Sequence, residues 1–167
     1  MTLRVMAKED VGFFCEALRW HLSRAEAERR FDNPTPLAIL TERTRFVIEK
    51  KDGTKIGLIT HYVVLPSKRM EIGYNLIPSE RGKGYGTEAV QVMVDHLFLT
   101  KDIVRIQAVT NVENVPSQRV LEKAGFVREG TLRRVSHTEQ ERGDAYIYSI
   151  IREEWKEPKI LTGTALE

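Results

Sequence analysis

The chain has 167 residues, 41% of them hydrophobic, which suffices for the core of one domain. Its 26 Lys and Arg stand against 24 Asp and Glu, and a net charge of +2 is too balanced for a general nucleic-acid or membrane-surface binder. Cys15 is the single cysteine and His21, His61, His96 and His137 lie far apart, so an intrachain disulfide and a cysteine-based metal cluster are excluded and no metal site is expected. Early charges (Arg4, Lys8, Glu9, Asp10) and the lack of an apolar run near the ~18 residues of a membrane span argue against a targeting or membrane segment. A cytoplasmic protein is the expectation.

In chain order, Leu3-Arg4-Val5 reads as a short strand. Phe13, Phe14, Ala17, Leu18 and Leu22 recur at helical spacing and predict one helix from about Asp10 to Arg30 with Cys15 in its core side. Asn33-Pro34-Thr35-Pro36 breaks that pattern, a short helix is predicted over Leu37 to Arg43, and the extended run Phe46 to Lys50 follows. The turn Lys51-Asp52-Gly53-Thr54 joins it to a second extended run, Ile56 to Leu65, as an antiparallel hairpin. Arg69 to Ile77 is the next strand, with Met70, Ile72, Tyr74 and Leu76 on one face and Glu71, Gly73, Asn75 and Ile77 on the other.

After Pro78 a glycine-rich stretch, Arg81-Gly82-Lys83-Gly84-Tyr85-Gly86, leads into Ala89, Val90, Met93, Val94, Leu97 and Phe98 at helical spacing. Ile103 to Val109 alternates as a half-buried strand. Asn114 is a suitable N-cap for a second helix, with Pro116 in its first turn and Gly125 as its left-handed stop. Strands over Phe126 to His137 and Asp144 to Ile151 close the chain, joined by the charged loop Thr138 to Gly143. No repeat or linker divides residues 1–156, which read as one domain with a tail at 157–167.

The glycine-rich stretch sits between strand and helix, where converging amides and the helix dipole hold anions. It lacks the Gly-x-x-x-x-Gly-Lys-Ser/Thr string of nucleotide triphosphatases. Gly84-Tyr85-Gly86-Thr87-Glu88-Ala89 fits a dinucleotide fingerprint, but antiparallel strands precede it and the following strand ends at Val109-Thr110-Asn111 without an acidic residue.

The stretch Arg81 to Gly86 resembles the Arg/Gln-x-x-Gly-x-Gly/Ala loop of the GNAT superfamily of acyl-CoA-dependent N-acyltransferases. Asn114, Ser117 and Leu121-Glu122-Lys123-Ala124-Gly125-Phe126 are similar to that family's second helix, particularly in its RimJ/RimL-type branch. Glu71-Ile72-Gly73-Tyr74, Tyr146-Ile147-Tyr148-Ser149 and Glu154-Trp155 extend the resemblance over about Phe46 to Trp155. It implies an α+β fold: a mixed, mostly antiparallel sheet of six or seven strands, splayed where the cofactor enters, with helices on both faces. It also implies acetyl-CoA as cosubstrate, held by Leu76, Ile77, Arg81, Gly82, Lys83, Gly84, Tyr85, Gly86, Thr87, Asn114, Ser117 and Lys123, and no metal.

The implied reaction is N-acetylation of an amine by direct attack in a ternary complex. The acceptor is expected to be a protein or peptide N-terminal α-amine, with a polyamine or other small amine as alternative, or no acceptor at all in a silent acyl-CoA sensor. The protein would act as monomer or homodimer. Glu71 is the candidate base, against a reading as a strand glutamate paired with Arg69. Leu121 occupies the position where many relatives carry a tyrosine acid, which leaves Ser117 as the nearest hydroxyl to the leaving sulfur, against a reading as a first-turn serine bonding to backbone. The backbone N–H of Leu76 would hold the oxyanion. Tyr74, Tyr146 and Tyr148 are either acceptor-pocket or packing residues, and Glu113, Glu139, Glu141 and Asp144 either attract a cationic amine or are solvated loop charges.

Overall fold

In the computed structural model, which describes residues 1–17, 23–32, 34, 41–67, 69–135 and 143–158, the alternating runs pair into a single seven-stranded sheet. Its strands are β1 (Thr2–Val5), β2 (Thr44–Glu49), β3 (Lys55–Val64), β4 (Arg69–Leu76), β5 (Arg105–Asn111), β6 (Val127–Leu132) and β7 (Ala145–Ile151), in the order β1-β2-β3-β4-β5-β7-β6. Every neighbouring pair is antiparallel except β4 with β5. The expected α+β class with a mixed, mostly antiparallel sheet is borne out.

Period-two alternation gives the sheet two different faces. On one, Ile59, Met70, Ile72, Ile106 and Tyr148 lie under α3 (Tyr85–Thr100) and α4 (Val115–Ala124), whose own apolar stripes include Met93, Leu97 and Leu121. On the other, Val47 and Leu58 meet Val11 and Phe14 of α1 (Val11–Ala17) and Ala27 of α2 (Arg24–Asp32). Helices thus cover both faces, but this second cluster lies over β2 and β3, away from β5, β6 and β7.

The helix predicted from Asp10 to Arg30 is two helices. Asp10 is not in either: it closes a short 3-10 turn (Lys8–Asp10), fully buried, with its carboxylate bound by Arg4, Lys55 and the amide of Ala7. Ser23 stands outside the helix and its Oγ accepts from the amide of Glu26 at 3.2 Å, the start of a fresh N-terminus. The strand predicted over Phe126 to His137 stops at Leu132, where Arg133 and Arg134 turn and the Arg134 amide donates to Asp144 Oδ1 at 3.0 Å. Most of the predicted helix Leu37 to Arg43, the loop residues 138–142 and the tail 159–167 lie outside the described residues.

One irregularity positions the site. β4 and β5 pair only at Arg69, Met70 and Glu71, opposite Arg105, Ile106 and Gln107, and β5 pairs with β7 along its whole length. From Ile72 to Leu76 the edge of β4 that faces β5 is therefore unpaired, and the sheet opens there.

Candidate active site

The open edge leads into an anion cradle. A 3-10 turn (Pro78–Glu80) carries the chain from β4 to Gly82 and Gly84, whose φ values of +74° and +89° lie in the left-handed region that favours glycine. A Cβ at either would meet no atom within 4 Å, so the space above both is open. The first backbone bond of α3 runs from Glu88 N–H to Gly84 C=O at 3.1 Å, which leaves the amides of Tyr85, Gly86 and Thr87 ahead of the ladder at the positive end of a 16-residue helix. Gly86 is needed for a different reason: its Cβ would come 3.3 Å from Cγ2 of Val120, where α3 and α4 touch.

The basic side chains of the cradle brace it from outside. Arg81 folds back, its Nε donating to Leu76 C=O at 3.0 Å and its Nη2 to Asn75 Oδ1 at 3.4 Å. Lys83 and Lys50 both hold the carboxylate of Glu80, at 3.3 and 3.0 Å. Lys123 lies in the last turn of α4, where its carbonyl accepts from Gln91 of α3 at 3.5 Å.

Along the open edge, strand parity decides which backbone groups are free. The amide of Ile77 donates to Ile56 C=O on the β3 side at 2.9 Å, so alternation turns the amide of Leu76 towards the opening. With the Leu76 carbonyl taken by Arg81, the Ile77 amide by Ile56 and the Ile77 carbonyl by the amide of Glu80 at 3.0 Å, these two residues present only the Leu76 N–H, and the pairing expected of Ile77 with the cofactor arm gives way to the turn that starts there.

Side chains from opposite faces converge on the same opening. On the α4 side, Asn114 caps its helix by accepting from the amide of Ser117 at 3.2 Å, and the Ser117 hydroxyl lies 2.8 Å from the hydroxyl of Tyr74. The Tyr74 hydroxyl also reaches Ser117 C=O at 3.1 Å, and burial pushes its pKa up to about 12. The ring of Tyr74 packs against the core as the packing alternative has it, and its hydroxyl is in addition paired with Ser117. Tyr148 is different: it is fully buried, its hydroxyl donating to Glu122 at 3.1 Å, so it is a core residue.

On the other face Glu71 stands at the last paired position before the strands part. One carboxylate oxygen accepts from the hydroxyl of Tyr62 and the other from Nε2 of Gln107 at 2.8 Å, and neither partner is Arg69. Burial, then the bond to the carboxylate, hold the Tyr62 phenol well above its ordinary value, so it stays a donor. The polar row continues through Arg105, whose guanidinium grips Glu129 at 2.6 and 2.5 Å, to Ser149, which donates to Glu129 at 2.7 Å. Arg105 and Ser149 draw the Glu129 carboxyl down to about 2. Among the loop acids weighed for the acceptor, Asp144 holds the Arg134 amide, while Glu139 and Glu141 lie outside the described residues.

Residues 1–127 match the family described as Acetyltransferase (GNAT) domain. The chain belongs to the GNAT acetyltransferases. It is 30% identical over 173 residues to the uncharacterized N-acetyltransferase p20 of Bacillus licheniformis, covering 93% of this chain and 94% of that one. With the uncharacterized N-acetyltransferase YnaD of Bacillus subtilis (strain 168) it shares 36% identity over 109 residues, 65% of this chain and 64% of YnaD. An aminoglycoside N(6')-acetyltransferase type 1 of Klebsiella pneumoniae is 28% identical, over 79% of this chain and 76% of that one. Among solved structures, a chimera of spermidine N-acetyltransferase SpeG from Vibrio cholerae and hSSAT superposes with a TM-score of 0.81 at 22% identity, over 93% of this chain and 98% of that one. RimL, a ribosomal L7/L12 α-N-protein acetyltransferase in complex with coenzyme A, gives 0.77 at 19%, over 89% and 92%. GNAT enzymes use acetyl-CoA and act on amine acceptors, and the open cradle above Gly82 and Gly84, with three free helix amides behind it, has the shape and polarity a pyrophosphate requires.

Proposed function

We propose that this GNAT protein transfers the acetyl group of acetyl-CoA to a protein or peptide N-terminal α-amine by direct attack in a ternary complex, as a member of the RimJ/RimL-type branch. The observation that carries this reading is the placement of Glu71 on one face of the opening between β4 and β5 and of the Tyr74–Ser117 hydroxyl pair on the other. When bound, acetyl-CoA supplies the activated acyl carbon. The chain's own groups do the rest. The amides of Tyr85, Gly86 and Thr87, with Gly82 and Gly84, would hold the phosphates, Asn114 would flank the arm, and the Leu76 N–H would donate to the acyl oxygen.

Glu71 takes the amine proton, directly or through one water, and Tyr62 and Gln107 keep its carboxylate fixed. An α-amine near pKa ~8 presents far more neutral nucleophile at neutral pH than a lysine near ~10.4, which favours an N-terminus as acceptor. On the opposite side Ser117 or Tyr74 donates to the departing thiolate. The RimL likeness supports the branch. The continuous sheet from Thr2 to Ile151, with the Trp155 indole donating to Asp95 at 2.7 Å beyond it, supports residues 1–156 as one domain.

The test is thiol release from acetyl-CoA with a panel of peptides, spermidine and an aminoglycoside. Glu71→Gln is expected to lower kcat about 10²-fold or more while CoA affinity stays within a factor of two. Full activity of Glu71→Gln across pH would give the proton to a water chain. CoA binding without transfer to any amine would make the protein an acyl-CoA sensor, and spermidine as the best acceptor would favour the polyamine reading.

A further inference from the structure

The face that carries Glu71 is rich in cations, three of which have no ion pair among the described residues. Register fixes the layout: Arg45 lies opposite Thr60 and Thr60 opposite Gly73, while in the next row Tyr62, Glu71, Gln107 and Ser149 stand side by side. The Arg43 guanidinium lies 4.6 Å above the Tyr62 ring. In the row beyond, Arg69 pairs in register with Arg105. Of these four arginines only Arg105 has a carboxylate among the described residues, that of Glu129. Among the described residues Arg43 and Arg45 have no ion pair, and the Arg69 Nε is enclosed without a partner. Burial, then the neighbouring Arg43 charge, lowers the pKa of Arg45, a guanidinium held at a cost without an ion pair among the described residues.

Four guanidinium groups therefore face two carboxylates. One of those, Glu129, is saturated by Arg105 and Ser149, and the other, Glu71, is bound by two neutral donors. Between the arginines and the opening the floor is Gly73, exposed, with nothing within 4 Å of the position of a Cβ. Neighbouring strands are about 4.8 Å apart, so Arg45, two strands away, stands about 10 Å from that floor at the backbone and closer at its guanidinium.

Resting on the reading that the acceptor enters over Glu71, we infer that the acceptor carries a carboxylate or phosphate close to its reacting amine, bound by Arg43 and Arg45 with Arg69 behind them. A polycation meets the wrong field here. The spermidine and aminoglycoside named for structural and sequence relatives are then poor acceptors for this chain, and an acidic amine is a good one. The acid comes from an N-terminal peptide whose second residue is acidic or from a small acidic amine, and the two sources differ in size alone.

Acceptor kinetics at saturating acetyl-CoA test this. The probes are C-terminally amidated tripeptides with glutamate, glutamine or lysine second, β-alanine against its amide, phosphoethanolamine, and spermidine. The expected result is a KM at least tenfold lower for the acidic member of each pair that is turned over, with spermidine the poorest; whether peptides or free amines respond identifies the source. Arg45→Gln and, at an exposed position, Arg43→Gln should each raise KM for the acidic acceptor at least tenfold while kcat and the KM of the neutral one stay within twofold. Equal KM values for the glutamate and glutamine peptides and for β-alanine and its amide, preference for spermidine, or an acidic preference untouched in both variants would overturn the inference. If no amine is turned over, N-acetylglutamate is titrated calorimetrically into the CoA-saturated protein. Binding that weakens tenfold in Arg43→Gln upholds the anion site while refuting acetyl transfer, and no binding refutes the site.

Discussion

His61 ties the stability of the protein to mild acid. It projects from β3 towards α3, only 4% exposed, 5.7 Å from the Phe46 ring, and its Nδ1 has no hydrogen-bond partner among the described residues. Burial, then the nearby Lys101 and His96, push its pKa from 6.5 to about 4, against a weaker opposing pull from Glu42, which itself pairs with Lys101 at 3.5 Å. Between pH 6.5 and 4 the unfolded chain therefore binds a proton that the folded chain refuses, and stability falls as pH falls. A difference of about 2.5 pKa units is worth roughly 3 kcal/mol when complete, of which about 2 kcal/mol is lost by pH 5. Depressed carboxyls such as Glu129 act lower, as pH falls through about 4 and towards 2, so they leave this window clear. His96, whose pKa burial also lowers, adds in the same direction and needs its own control. Urea unfolding at pH 7.5, 6 and 5 measures the effect. His61→Leu should flatten the slope by about 2 kcal/mol between pH 7 and 5, with His96→Gln removing less. A His61→Leu slope equal to that of the wild type would show that His61 accepts its proton without unfolding, and would refute the argument.

Three further outcomes follow from the site. Gly84→Glu forces a side chain into φ +89° and aims a carboxylate into the cradle, so CoA affinity measured by calorimetry should fall at least 100-fold while the fold persists. Tyr74→Phe and Ser117→Ala should each lower kcat about tenfold, and the double variant little further, because the two hydroxyls share one bond; additive losses would separate their roles. Gly73→Val adds bulk on the proposed acceptor face, where a Cβ meets no atom within 4 Å, so the acceptor KM should rise more than tenfold with the CoA dissociation constant and the melting temperature unchanged.

Much of the fold was legible because burial has a period. The alternation at Met70, Ile72, Tyr74 and Leu76 and the three-to-four spacing of α3 are direct records of which side faces the core. The cradle was legible for a related reason, since left-handed backbone at Gly82 and Gly84 leaves a local chemical mark. The break between α1 and α2 was marked too, by Ser23 three residues before Glu26, but helical spacing on either side outweighed that signal. What periodicity does not carry is register between strands. Tyr62, Glu71, Gln107, Arg105, Glu129 and Ser149 form one polar network on a single face across five strands, and Tyr74 meets Ser117 across 43 positions of chain; each is an ordinary polar residue until the pairing is known.

The same pairing explains why one strand serves both ends of the proposed reaction. Glu71 and Tyr74 are three residues apart on β4, an odd separation, so the pleat must send them to opposite faces about 10 Å apart along the strand. The β4–β5 ladder ends at Glu71, so on the side away from β3 the backbone between them, Ile72 and Gly73, borders the opening. A group lying in that opening is thus reached by a carboxylate from one side and a hydroxyl from the other without any loop having to hold either. The carboxylate is fixed by β3 and β5 through Tyr62 and Gln107, the hydroxyl by α4 through Ser117, and those supports belong to the most regular parts of the sheet and its covering helix. The part free to vary is the proposed acceptor side above Gly73, which neither β5 nor the cluster over β2 and β3 covers, and that is where the arginines without an ion pair among the described residues stand.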